Sequence, residues 1–252
     1  MRCGKLVTDI QPYKFIPSTL FMLFVRLIPN RFLKRYAAFF LGLLGLLVLL
    51  YSATGSFAGE PQSPPAPSDN PQIVVLGDSL SAEYGLERGT GWVSLLQANL
   101  NKTSHINIIN ASISGDTTSG GRSRLPILLS KYHPVVVIIE LGSNDALRGI
   151  PMETSKENLA WMVNAAQAKG SKVLIVGNLV PANYGAALNA DLTKMYAQVS
   201  KKYKVPLVPF MLKGVADAPN ASALFQSDQL HPLAVAHPTI LANIWPELKK
   251  LL

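Results

Sequence analysis

Four short segments of the chain hold the residue types that acyl chemistry needs. Gly77-Asp78-Ser79-Leu80 places a serine two residues past a glycine. A glycine there permits a sharp turn, and the serine after it can present its hydroxyl outward as a nucleophile. By itself a Gly-Asp-Ser turn is equally ordinary loop chemistry. Ser112-Ile113-Ser114-Gly115-Asp116-Thr117 contributes Gly115, whose backbone N–H no side chain crowds, although a polar loop ahead of a helix has the same composition. Gly142-Ser143-Asn144-Asp145 offers the Asn144 amide as a donor to an oxyanion, while Asn and Asp favour turns on their own account. Asp228-Gln229-Leu230-His231-Pro232 spaces a carboxylate and an imidazole by three residues. One turn then brings Asp228 to the Nδ1 of His231 and leaves Nε2 to take a proton from a hydroxyl. His105, His133 and His237 read as structural. The first two lie where a helix or loop enters a strand, and His237 is six residues from His231, a spacing that fits no helical metal pair.

The elements that must position these segments are legible as alternating runs. Ile73 to Leu76, Ile106 to Asn110, Val135 to Leu141, Val173 to Val176 and the short Leu207 to Val208 are apolar and strand-like, separated by stretches of helical pattern. Such alternation predicts an α/β fold with a parallel sheet buried on both faces. Ligands of such sheets bind beyond the carboxyl ends of the strands, and the first three segments directly follow the first three strands. A helix after the third strand is predicted from a Thr154/Glu157 capping box, with Leu159, Met162, Val163 and Ala166 on one face and Gly170 as its stop. The last helix places Ile240, Ile244, Leu248 and Leu251 on one stripe, with Pro238 in its first turn and a kink expected at Pro246.

Taken together, in order and spacing, the four segments resemble the four sequence blocks of the SGNH (GDSL-type) hydrolases. The likeness extends through GDSLSAEY (77–84), NASISGDT (110–117), ELGSNDALRG (140–149), PANYG (181–185) and VPLVPF (205–210), and covers roughly Pro71 to the end. It is similar in particular to the bacterial periplasmic multifunctional esterases of that family. The resemblance implies a three-layer, flavodoxin-like sandwich with a central five-stranded parallel sheet. It implies a catalytic set of Ser79, His231 and Asp228, and an oxyanion hole from the Ser79 and Gly115 N–H groups and the Asn144 amide. Substrate contacts would come from Asp78, Leu80, Asp145, Leu147 and Pro181, with Ile150, Val180 and Leu188 adding apolar surface. The implied activity is hydrolysis of short to medium acyl esters, thioesters or lysophospholipids, with no metal or organic cofactor. Two positions depart from the family pattern. Glu83 replaces a usual glycine and would put a carboxylate near the nucleophile, bearing on substrate charge or on His231. Ser143 replaces a glycine beside Asn144 and bears on the flexibility of the loop 143–148. A carbohydrate O-acetyl esterase of the same group, or a non-catalytic module gripping an envelope component, are the competing readings.

Composition limits the remaining possibilities. With 252 residues, 48% of them hydrophobic, the chain has room for one sizeable core. The net charge of +8 does not mark a nucleic-acid binder, because it is concentrated at one end. Residues 1–58 carry seven Lys/Arg against one acid, and the rest sixteen against fourteen. That basic segment leads into the apolar run Tyr36 to Tyr51 and then small residues, the order of a secretory signal with cleavage after Ala58. Counted through Ala58, the stretch also reaches the roughly 20 residues of a membrane tether. Residues 59–72, rich in Pro and Ser, read as a linker, leaving 73–252 as the catalytic domain. Export to the periplasm or medium, with a possible inner-membrane tether, is the expectation. Cys3, the single cysteine, lies ahead of the apolar run, so the exported domain is expected to hold neither a disulfide nor a thiol nucleophile.

Overall fold

The computed structural model describes residues 70–252. The segment expected to be a signal or tether (1–58) and almost all of the expected linker (59–72) therefore lie outside the described residues. Among those described, no helix is long and apolar enough to cross a membrane.

Five strands form one parallel sheet: β1 (Gln72–Gly77), β2 (Asn107–Asn110), β3 (Val136–Glu140), β4 (Lys172–Val176) and β5 (Leu207–Val208), in the order β2-β1-β3-β4-β5. Among the described residues six α-helices accompany them: α1 (Trp92–Leu100), α2 (Thr118–Tyr132), the short α3 (Ser143–Leu147), α4 (Met152–Ala168), α5 (Ala186–Tyr203) and α6 (His237–Lys249). Successive strand side chains point to opposite faces, so each central strand feeds two cores. Ile73, Val75, Val136, Ile138, Leu174 and Val176 pack with α1 and α6 on one face. Leu76, Val137, Ile139, Val173 and Ile175 pack with α2, α4 and α5 on the other. This is the expected three-layer α/β sandwich. Its strand order reverses between β1 and β3, and in such sheets the crevice at that reversal is where ligands bind. The segments after β1 and β3 hold Ser79 and Asn144.

Two local expectations change. α4 begins at Met152 behind Pro151, so Thr154 lies inside the first turn and no side chain caps the helix. Pro151 is the N-cap, with φ −53° and ψ 128°, so the helix starts ahead of the Thr154/Glu157 box and the box caps nothing. At the other end, α6 continues through Pro246 to Lys249, and Leu251 lies beyond it, half-buried against the core.

Candidate active site

β1 ends in Gly77, where a Cβ would lie 2.8 Å from the Glu140 carboxylate and 2.7 Å from the Ser81 hydroxyl, so no larger residue fits that turn. The chain then turns through Asp78 and presents Ser79, half-buried, at the mouth of a cavity. Ser79 Oγ lies 2.8 Å from His231 Nε2, and His231 Nδ1 lies 2.7 Å from Asp228 Oδ2. The other Asp228 oxygen accepts the backbone N–H groups of Leu230 (2.9 Å) and His231 (3.0 Å), which closes the turn. Gln229 adopts a left-handed φ of +56° inside it, the conformation that lets three residues bring the two side chains together. Partial burial raises the Asp228 pKa, but the hydrogen bonds from the imidazole and the two N–H groups outweigh it and hold the carboxyl at about 2. The Tyr84 ring lies against His231 with centroids 4.4 Å apart.

Asn144 stands in the first turn of α3, and its Nδ2 donates to Asp78 Oδ2 at 3.0 Å. An amide nitrogen carries two hydrogens, so one remains to be donated elsewhere. Gly115, at φ +77°, has its carbonyl held by Arg148 Nη2 at 2.6 Å, while its own N–H donates to no protein acceptor. Gly115 does not itself line the cavity.

That cavity, about 430 Å³, is lined by Asp78, Leu80, Leu147 and Pro181 among the expected contact residues, and by Val180. Asp145 is a correction. It is fully buried and does not reach the cavity, because its carboxylate accepts the Thr118 N–H and hydroxyl and the Ser155 hydroxyl, tying α3 to α2 and α4. Ile150 and Leu188 are also absent from the lining, and Leu188 packs into the core instead. Sequence reasoning missed Leu179, Phe210, Leu212 and Phe225, which complete the apolar wall. They come from three loops, after β4, after β5 and ahead of His231, with no shared periodicity.

Both departures resolve locally. Glu83 sits at φ +58°, where a glycine is at ease, and its carboxylate turns from the nucleophile to accept Gly89 N–H (3.1 Å), Gly91 N–H (2.8 Å) and the Ser94 hydroxyl (2.7 Å). It thus braces the entry to α1 and does not face Ser79. At Ser143 the backbone is helical, and the glycine that the turn requires is Gly142, at φ +130° with the Tyr196 hydroxyl 2.6 Å from any added Cβ. His237 is buried and its Nδ1 accepts the Trp92 N–H at 3.0 Å, the structural place expected of it. Residues 75–237 match the GDSL-like Lipase/Acylhydrolase family.

The chain belongs to that family. It is 44% identical over 181 residues to the esterase TesA of Pseudomonas aeruginosa, covering 71% of this chain and 89% of that protein. It is 36% identical over 179 residues to the thioesterase 1/protease 1/lysophospholipase L1 of Escherichia coli, covering 71% and 84%. Among solved structures, the psychrotrophic esterase EstA from Pseudoalteromonas sp., inhibited by monoethylphosphonate, superposes with a TM-score of 0.67 at 39% identity over 72% of this chain and 98% of that one. As a GDSL hydrolase of this kind, the protein is a carboxylic ester or thioester hydrolase. Glu140, Gln226 and Arg148, to which the sequence reading gave no role, brace the loops of the site: Glu140 accepts the Asp78 N–H at 3.2 Å, Gln226 donates to the Tyr84 carbonyl at 2.9 Å and Arg148 to the Gly115 carbonyl at 2.6 Å. A single acid closing the otherwise apolar run VVVIIE was the one available signal for Glu140.

Proposed function

We propose that this GDSL hydrolase cleaves short to medium acyl esters and thioesters through an acyl-enzyme on Ser79. The contact that carries the reading is Ser79 Oγ to His231 Nε2 at 2.8 Å, backed by Asp228 on Nδ1. His231 accepts the hydroxyl proton as Oγ attacks the carbonyl carbon, then returns it to the leaving thiol or alcohol, and a water repeats the cycle to free the acid. Asp228, ionised down to about pH 2, keeps the proton on Nδ1 and stabilises the imidazolium. The Ser79 and Gly115 N–H groups and the second Asn144 amide hydrogen are the oxyanion donors in this reading. Such donors are each worth about 3 kcal/mol to the transition state. Leu80, Leu147, Val180 and Phe210 give the acyl chain an apolar trough, which favours acyl esters over acetylated sugars.

A hydrolysis panel of p-nitrophenyl esters of rising chain length, acyl-CoA, lysophospholipid and acetylated sugars tests the substrate class. Acetylated sugars turned over far faster than every acyl ester would move the assignment to a carbohydrate esterase. Ser79→Ala and His231→Ala should each lose roughly 10⁴-fold or more in kcat, and the double variant little more than either. Losses that multiply, or a correctly folded Ser79→Ala that stays active, would sink the mechanism. An alkylphosphonate should label Ser79 in the native chain and not in the variant.

A further inference from the structure

Behind Asn144 lies a pair of buried acids for which the proposed chemistry has no use. Asp78 is 2% and Glu140 1% exposed, and they adjoin: Glu140 Oε2 accepts the Asp78 N–H at 3.2 Å, and each carboxyl lies in the other's field. Among the described residues neither forms an ion pair with Lys or Arg. The groups that face them are the Ser81 hydroxyl, the Trp92 indole behind it, the Tyr196 hydroxyl from α5, the Asn144 amide and, on the cavity side, His231. Tyr196 stays neutral, since burial and the two acids push its pKa up. Two adjacent carboxylates so nearly removed from solvent, with no Lys or Arg beside them, do not both ionise near neutral pH.

The hydrogen bonds indicate which acid keeps the proton. Asp78 uses both oxygens as acceptors, Oδ1 from the Leu80 N–H and Oδ2 from Asn144 Nδ2, each at 3.0 Å. Glu140 accepts the Asp78 N–H (3.2 Å) and the Ser81 hydroxyl (2.8 Å) on the same oxygen, Oε2, which leaves Oε1 to carry a hydrogen. We propose that the pair holds one proton, on Glu140, and that Asp78, thereby left charged, fixes the Asn144 amide with its second hydrogen toward the oxyanion. Glu140 is then a positioning residue acting through Asp78. Burial first, and the charge of Asp78 second, push its carboxyl well above the ordinary range, in agreement with that placement.

The inference rests on Asn144 being an oxyanion donor, so its test separates the two. In the full chain, Glu140→Ala should lower kcat about 10- to 100-fold with KM within about twofold, as expected when a transition-state donor is misaligned. Glu140→Gln, which reproduces the neutral donor-acceptor carboxyl, should restore kcat to within about threefold of native, whereas Asp78→Asn should stay as low as Glu140→Ala. The carboxyl-carbon NMR shift of Glu140, assigned by its loss in Glu140→Gln, should be that of the protonated acid at pH 7. An ionised Glu140, a Gln variant as impaired as Ala, or an active Asp78→Asn beside an inactive Glu140→Gln would each overturn it. If Glu140→Ala fails to fold, the Gln and Asn variants and the shift still decide. Full activity in Asn144→Ala would instead refute the oxyanion assignment, whatever the shift shows.

Discussion

Asp228 and Glu140 are both carboxyls within the same site, and their surroundings tune them in opposite senses. Asp228, on the surface, is held at about 2 because hydrogen bonds to its charged form exceed the cost of its slight burial. Glu140, in the interior, is raised. The consequence for Asp228 has a definite sign. A folded pKa below the unfolded value of 3.8 contributes stability that is fully present above about pH 4 and disappears as pH falls toward 2. The native chain should therefore exceed Asp228→Asn in urea resistance near neutrality, and the gap should close between about pH 4 and pH 2. A gap that persisted unchanged at pH 2 would show that Asp228 is not held in its charged form by the fold. Its side chain is 37% exposed, so the gap will be small and most easily read at low salt.

At the scale of elements, the site depends on loops tied to one another more than on any helix. Gln226 shows how. Its backbone N–H donates to the His231 carbonyl at 2.7 Å, while its side-chain amide donates to the carbonyls of Tyr84 (2.9 Å) and Pro232 (3.3 Å). It thereby joins the loop bearing His231 to the loop bearing Ser79. Glu83 does the same for the entry to α1, at the cost of a left-handed backbone that a non-glycine residue occupies with about 1 kcal/mol of strain or more. Its three accepted hydrogen bonds, each worth about 1 kcal/mol, exceed that strain. Glu83→Ala keeps the strain and loses the bonds, whereas Glu83→Gly loses the bonds and relieves the strain. Both should be less stable than native in urea, with the Ala variant lower than the Gly variant by about 1 kcal/mol. Equal stabilities of the two variants would show that the left-handed backbone costs little, and a Gly variant more stable than native would show that the three bonds contribute less than that strain.

At the scale of the whole molecule, the reversal of strand order between β1 and β3 gathers residues from the two ends of the domain. Ser79 and His231, 152 positions apart, meet there because β1 is an interior strand next to the reversal and the C-terminal loop returns beside its end. The basic and apolar N-terminal pattern predicts that this domain works outside the cytoplasm. Cell fractionation should recover the esterase activity in the exported or membrane fraction. If it sits with membranes, proteolysis within residues 59–72 should release it, and activity confined to the cytosol would refute export.

What the sequence determined by itself were the properties carried over short distances. Apolar runs of strand length marked β1, β3 and β4 almost to the residue, because a strand buried on both faces has little room for polar side chains. The three-residue step from Asp228 to His231 was legible because a single turn sets it. The capping box on α4 failed because local spacing does not register a competing helix start, here Pro151. Only the tertiary structure decided where side chains turn once strands assemble. It directed Glu83 away from the nucleophile, enclosed Asp145 between α2 and α4, and drew the cavity wall from Leu179, Phe210, Leu212 and Phe225. It also set Glu140 against Asp78, a pairing created by the parallel register that aligns Gly77 with Glu140 across two neighbouring strands. Periodicity within one strand carries no trace of its neighbour's register, which is why that pairing could be read only in three dimensions.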